Sequence, residues 1–130
     1  MARTADGSLS HPLGAGVSGL LVYSVGGYMT AQLMAAGRPQ WPCSADPERL
    51  DTIAAISEGY VAYAGTFEVH EEASAVSHHV TMSLLPDWVG GVQHRLVELD
   101  GDRLILSVAG AAPGDAPTHR LTWRRVPERP

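Results

Sequence analysis

Turn-forming residues recur along this chain at short, regular intervals, and that spacing limits the fold more than any other feature. Glycine and proline clusters fall at 14–16, 26–27, 37–39, 41–43, 86–91, 100–102 and 112–117. Between most of them lie short runs in which apolar and polar side chains alternate, the pattern of antiparallel strands with one dry face and one wet face. Strands are expected at 18–24, 28–34, 60–70, 75–84, 91–99, 103–109 and 118–126. Glycine supplies the positive φ that a two-residue hairpin demands, so SVGGY and LDGDR each read as such a turn. One segment, 46–58, breaks the alternation. Asp46 is a good N-cap, Pro47 stands at the first helical position and Gly59 closes the run, which gives a helix of about three turns. Leu50, Ile53, Ala54 and Ser57 would form its inner side, over one end of a barrel. With 130 residues there is room for one core, so the expectation is a single all-β domain over 1–130. Its frame is an antiparallel β-barrel with one short helix, an N-terminal arm (1–13) and a flexible tail (127–130).

Composition removes several function classes. The net charge is −5, and all nine basic residues are Arg, with no Lys and no Asn anywhere. Schiff-base chemistry, a P-loop lysine and N-glycosylation are thereby excluded. An absence of Lys and Asn, whose codons are AT-rich, points to a GC-rich genome, expected to be bacterial. Arg120, Arg124, Arg125 and Arg129 cluster near the C-terminus but read as solvated edge charges, and no nucleic-acid partner is expected of an acidic domain. Cys43 is alone, so no internal disulfide or cysteine-based zinc site is expected. No apolar leader or long apolar run occurs, which makes the cytoplasm the default location and a membrane span unexpected.

Alternation also assigns an inner face, because residues two apart on a strand share a side. Tyr63, Gly65, Phe67 and Val69 should point inward, as should Val76, His78, Val80, Met82 and Leu84. Leu104, Leu106 and Val108 join them. Arg120, Thr122 and Arg124 turned outward would place His119, Leu121, Trp123 and Arg125 inside. The run 91–99 is ambiguous. With Glu98 outside, Gln93, Arg95, Val97 and Leu99 face in. The expected interior is apolar but carries His78, Gln93 and Arg95. A buried charge costs several kcal/mol unless it is paired, so these groups need internal partners, a polar feature on a ligand, or a place for the Arg head at a barrel mouth.

Other motifs fail on context. Gly14–Gly19 spells G-x-G-x-x-G, but it neither follows a strand nor opens a helix, so it is a glycine-rich turn and no dinucleotide cofactor is expected. His78 and His79 are adjacent on a strand and face opposite sides, and no H-x-H or H-x-x-x-H spacing occurs, so no metal is expected. There is no G-x-S-x-G elbow and no inward carboxylate pair. His78 is the one inward candidate for general acid or base work, since its ordinary pKa lies near neutrality.

The segments DGSLSHPLGAGVSGLLVYSVGGYMTAQLMAAGRP, GYVAYAGTFEV, VSHHVTMSLLPDWVGGVQHRLVELDGDRLILS and HRLTWRR, in that order over about residues 6 to 125, resemble the lipocalin-like domain family of bacteria and fungi. The resemblance implies an up-and-down or partly closed barrel with a ligand-sized interior, often in natural-product biosynthesis, where related small barrels act as cyclases. It carries over no catalytic residue. Family members usually begin with a strand bearing G-x-W ahead of the DG turn, and that Trp packs near an Arg corresponding here to Arg125; this chain starts at MARTADG. The barrel is therefore expected to be incomplete at that strand. The gap is open to filling by a partner subunit, as in a homodimer, to cover by the arm, or to use as a cavity entrance.

Two ligand-based functions follow as expectations. In one, a cofactor-independent cyclase or isomerase folds a hydrophobic polyketide-like chain, with entropy supplying most of the acceleration. His78 and Arg95 are its candidate catalytic groups. In the other, the barrel carries a small hydrophobic molecule without transforming it. For both, Tyr23, Tyr28, Tyr63, Met82, Trp88, Gln93 and Trp123 are the candidate ligand-binding residues. A third reading, a packed interaction barrel with no cavity, fills the interior with its own side chains.

Overall fold

The alternating runs pair in chain order into one antiparallel sheet. The computed structural model describes Leu13 and residues 16–130. Its elements are β1 (Ser18–Tyr23), β2 (Tyr28–Met34), α1 (Arg49–Glu58), β3 (Tyr60–His70), β4 (Ala75–Ser83), β5 (Val92–Asp100), β6 (Arg103–Val108) and β7 (Thr118–Arg124), with 3-10 turns at Glu71–Ala73 and Pro86–Trp88. Every strand pairs with the next, and all seven place side chains around one cavity, so the sheet curls into a nearly closed barrel. Its seam lies between β1 and β7, which do not pair with each other among the described residues. Residues 1–12 of the expected arm and 14–15 of the glycine turn lie outside the described residues.

Leu21, Met29, Ala31, Tyr63, Val76, Val80, Leu106 and Trp123 form the buried cluster, one or two from every strand except β5, which contributes Val97 beside them. Alternation assigns this inner face for Tyr63, Val76, Val80, Leu106 and Trp123, whereas Val69 and Leu99, also expected inside, are 60% and 68% exposed. Two bulges shift it. Between β3 and β4, Ala64 pairs with Met82 but Gly65 pairs with Val80, which leaves Thr81 as an extra residue. An extra residue reverses which side the following side chains take. Met82, expected inside, is therefore 63% exposed, while Ser83 takes the position across from Tyr63. Gly65 makes the bulge feasible, since a Cβ there would lie 1.8 Å from the His79 carbonyl oxygen. A second irregularity falls between β6 and β7, where His119 adopts φ +50. There the rim of the cavity takes both His119 and Arg120, although Arg120 was expected outside. Arg125, expected inside, lies beyond the end of β7 and is exposed.

Tyr28 is a further correction. It precedes Met29, Ala31 and Leu33, which turn inward, so it falls on the outer face and is 66% exposed. The β1–β2 connection is longer than two residues: Tyr23 pairs with Met29, and Gly27 at φ +94 closes the loop. The Asp100–Arg103 pair, by contrast, does enclose a two-residue turn with Gly101 at φ +59.

The helix starts later than expected. Asp46 caps a turn, its Oδ1 accepting from the Glu48 N–H at 2.8 Å, and α1 begins at Arg49. It has no buried residue, and Leu50 is 80% exposed, so it does not close the barrel as a packed lid. It is tethered at its end instead: Arg38 donates from Nε and a terminal nitrogen to the Ile56 carbonyl and lies over the Tyr60 ring. No helix among the described residues is long and apolar enough to cross a membrane.

Candidate ligand-binding site

The barrel encloses a cavity of about 440 Å³, within the size range of small-molecule sites. Its wall is mainly aliphatic and aromatic, with Leu21, Ala31, Leu33, Val61, Leu106, Val108 and Leu121 beside Tyr63, Trp88 and Trp123. His78, Gln93 and Arg95 are the polar groups set among them, and His119 and Arg120 lie at the β7 bulge. A smaller cavity of about 240 Å³ lies where β1, the β5–β6 turn and the end of β7 meet, lined by Tyr23, Leu99, Asp102, Leu104 and Arg125 among others. Leu21 and Trp123 line both cavities and so stand between them.

The centre of the polar group is His78, placed inward by the alternation of β4 and only 1% exposed. The Tyr23 hydroxyl lies 2.6 Å from its Nε2, and the Tyr63 hydroxyl 2.8 Å from its Nδ1. Burial, reinforced by the nearby Arg95 charge, holds the His78 pKa down at about 4, so the ring is neutral near pH 7. A neutral imidazole has one bare nitrogen and one N–H, hence one phenol donates to it and the other accepts from it. With the ring proton on Nδ1, Tyr23 donates to Nε2 and Nδ1–H donates to Tyr63; with it on Nε2 the two phenols exchange roles. The first tautomer is the one that turns a phenol donor toward the cavity Tyr63 lines. That arrangement leaves the Tyr63 hydroxyl proton available to the cavity. Burial pushes the Tyr63 pKa up to about 12 and raises that of Tyr23 further, so both stay protonated phenols, with Arg95 opposing the shift only in part.

Arg95 is half-buried on the cavity wall. It donates to the His94 carbonyl at 2.8 Å and to Gln93 Oε1 at 2.9 Å. Loss of hydration lowers its pKa, and the two tyrosines offset this in part. Aromatic contacts brace the group. Tyr23 meets Phe67 edge-on at 4.7 Å between centroids, and Trp88, carried inward by the Pro86–Trp88 turn, meets Tyr63 at 5.4 Å. The Trp123 indole N–H is buried and has no acceptor among the described residues.

The structure thus gathers Tyr23, Tyr63, His78, Gln93 and Arg95 into one cluster, with Trp88 and Trp123 on the same wall, and leaves Tyr28 and Met82 outside. The two-phenol clamp on His78 was not expected. Its signal was present, since Tyr23, Tyr63 and His78 all fall on the inner parity, but contact across strands depends on register. Among the described residues, no group of three or more His, Cys, Asp or Glu is placed to hold a metal.

Seven antiparallel strands around a ligand-sized, mainly apolar hollow define a small internal-cavity barrel. The chain belongs to the lipocalin-like domain family, whose model matches residues 1–126. It is similar to a protein of Aspergillus oryzae described as a 4'-hydroxy-3'-methoxypropiophenone carrier protein, with 36% identity over 108 residues that cover 76% of this chain and 97% of the relative.

Proposed function

We propose that this chain is a carrier for a small, flat, mostly apolar molecule of the aromatic ketone type. The observation that carries this reading is the cavity of about 440 Å³, apolar apart from one cluster of hydrogen-bonding groups. The description of the fungal relative supports the same ligand class. Trp88 and Trp123 on the wall provide a fluorescence readout. Propiophenone-type ketones are expected to quench that signal with a Kd on the order of micromolar, in keeping with the efficiency of small ligands. Ala31, 3% exposed and on the cavity wall, is the place to block the site. Ala31→Phe should weaken binding by at least about tenfold by filling the space. Unchanged binding in that variant would place the ligand elsewhere and end the proposal.

A second reading, the cofactor-independent cyclase or isomerase with His78 and Arg95 as catalytic groups, is favoured by the Tyr23–His78–Tyr63 chain, which can pass a proton along its hydrogen bonds. The same geometry weighs against proton abstraction from carbon. Both ring nitrogens of His78 are engaged and both phenols are protonated, so this trio offers the ligand no free base. A cyclase here would act by shape alone. The distinguishing test is incubation with a flexible polyketide-like ketone: an isobaric product formed only with the protein supports it, and unaltered recovery of the bound compound supports the carrier.

A further inference from the structure

Two of the groups at the polar cluster offer donors to the cavity. Tyr63 has a hydroxyl proton to give once its oxygen has accepted from His78, and Arg95 keeps N–H groups beyond those bonded to His94 and Gln93. No Asp or Glu is among the described residues that line the cavity. The other cation on the wall, Arg120, stands 3.7 Å from Glu98, with His119 beside it at the bulge. Arg95 has no such carboxylate among the described residues. Both of its hydrogen-bond acceptors are neutral. His78 adds no charge of its own near pH 7, and Tyr23 and Tyr63 are phenols rather than phenolates. Among the described residues, the interior is thus a low-dielectric wall with a half-buried guanidinium that no carboxylate faces, a costly arrangement on its own.

We infer that the cavity is an oxyanion receptor, taking an aromatic ligand whose phenol or carboxyl oxygen is ionised when bound and seated against Arg95 and the Tyr63 hydroxyl. This deepens the carrier reading and rests on it. An anion there meets one full positive charge and a charge-assisted hydrogen bond in surroundings that strengthen both. A neutral oxygen would satisfy a donor but leave the guanidinium charge unanswered. Phenols bearing a para acyl group suit the site, because the acyl group spreads the phenolate charge into the carbonyl and lowers the cost of ionisation.

The test uses the full chain and three probes: 4-hydroxypropiophenone, its 4-methoxy ether, which cannot ionise, and 4-propylbenzoate. The absorbance of the bound phenol reports its ionisation, and fluorescence titration at several pH values reports Kd. The expected result is that bound 4-hydroxypropiophenone ionises at least about one pH unit below the free phenol, so its phenolate binds at least about tenfold more tightly than its neutral form. Arg95→Gln removes the shift, and Arg95→Lys, which keeps a charge, restores part of it. Propylbenzoate binding more tightly than the ether, with the phenol unshifted, also supports the receptor and identifies a carboxylate as the anion. If the phenol is unshifted or ionises later and neither acid outbinds the ether, the inference fails while the carrier reading stands. If none of the three binds, both fail.

Discussion

Ser77 and His78 are consecutive on β4, both nearly inaccessible, yet they belong to two different polar environments. His78 points into the barrel and is clamped by two phenols, with no carboxylate bonded to it among the described residues and the Arg95 charge nearby. Ser77 points out, at 2% exposure, and is covered by two imidazoles: His70 Nε2 and His94 Nδ1 each lie 2.9 Å from its hydroxyl. Next to it on the same face, His79 Nε2 and Glu68 Oε1 lie 2.9 Å apart with both side chains largely exposed. The difference lies in access to water. Outside, the imidazoles that cover Ser77 are themselves exposed, so solvent takes up the hydrogen bonds they lose. Inside, each donor and acceptor depends on one other side chain, so a loss there is felt in full.

The largest effect is expected from His78→Leu, which leaves the Tyr23 and Tyr63 hydroxyls without their shared partner. Denaturant unfolding should show a loss of about 3 kcal/mol. A loss below about 1 kcal/mol would mean that water enters the cluster and the interior is not dry. Acid should act on the same residue. With a folded pKa of about 4 against 6.5 unfolded, His78 takes up its proton preferentially in the unfolded state. Its contribution is therefore intact above pH 6.5 and is lost as pH falls toward 4, by roughly 3 kcal/mol in all. His78→Gln, which stays neutral, should remove that part of the stability–pH curve. Ser77→Ala should cost only about 1 kcal/mol, since both imidazoles can turn to water. Smallest of all, Glu68→Gln should change stability by less than about 0.5 kcal/mol, and that change should vanish in high salt.

Much of this contrast is legible before any coordinates. Adjacent positions on a strand must face opposite ways, so placing His78 inside and Ser77 outside needs only a fixed strand and the apolar run around Val76 and Val80. Tyr63 follows from the same parity, and Gln93 and Arg95 follow once Glu98 is set outside, whereas Tyr23 lies on a strand for which no face was assigned. What could not be read is where parity breaks. The extra Thr81 turned Met82 outward, and the left-handed His119 brought Arg120 onto the cavity rim, because bulges come from pairing between strands rather than from the pattern within one. Tyr28 was named as a ligand-binding candidate without a parity argument, and the inward Met29 and Ala31 place it on the outer face. The Trp88 contact with Tyr63 depends on a 3-10 turn that carries no periodic signal at all.

The central claim is that a ligand sits within the barrel. Nuclear Overhauser contacts between the protons of bound 4-hydroxypropiophenone and the side chains of the protein test it most directly. A ligand held inside gives contacts to Leu33, Val61, Trp88 and Leu106 on the cavity wall. Contacts to Tyr28, Met82 or Leu20 on the exposed face instead would contradict it.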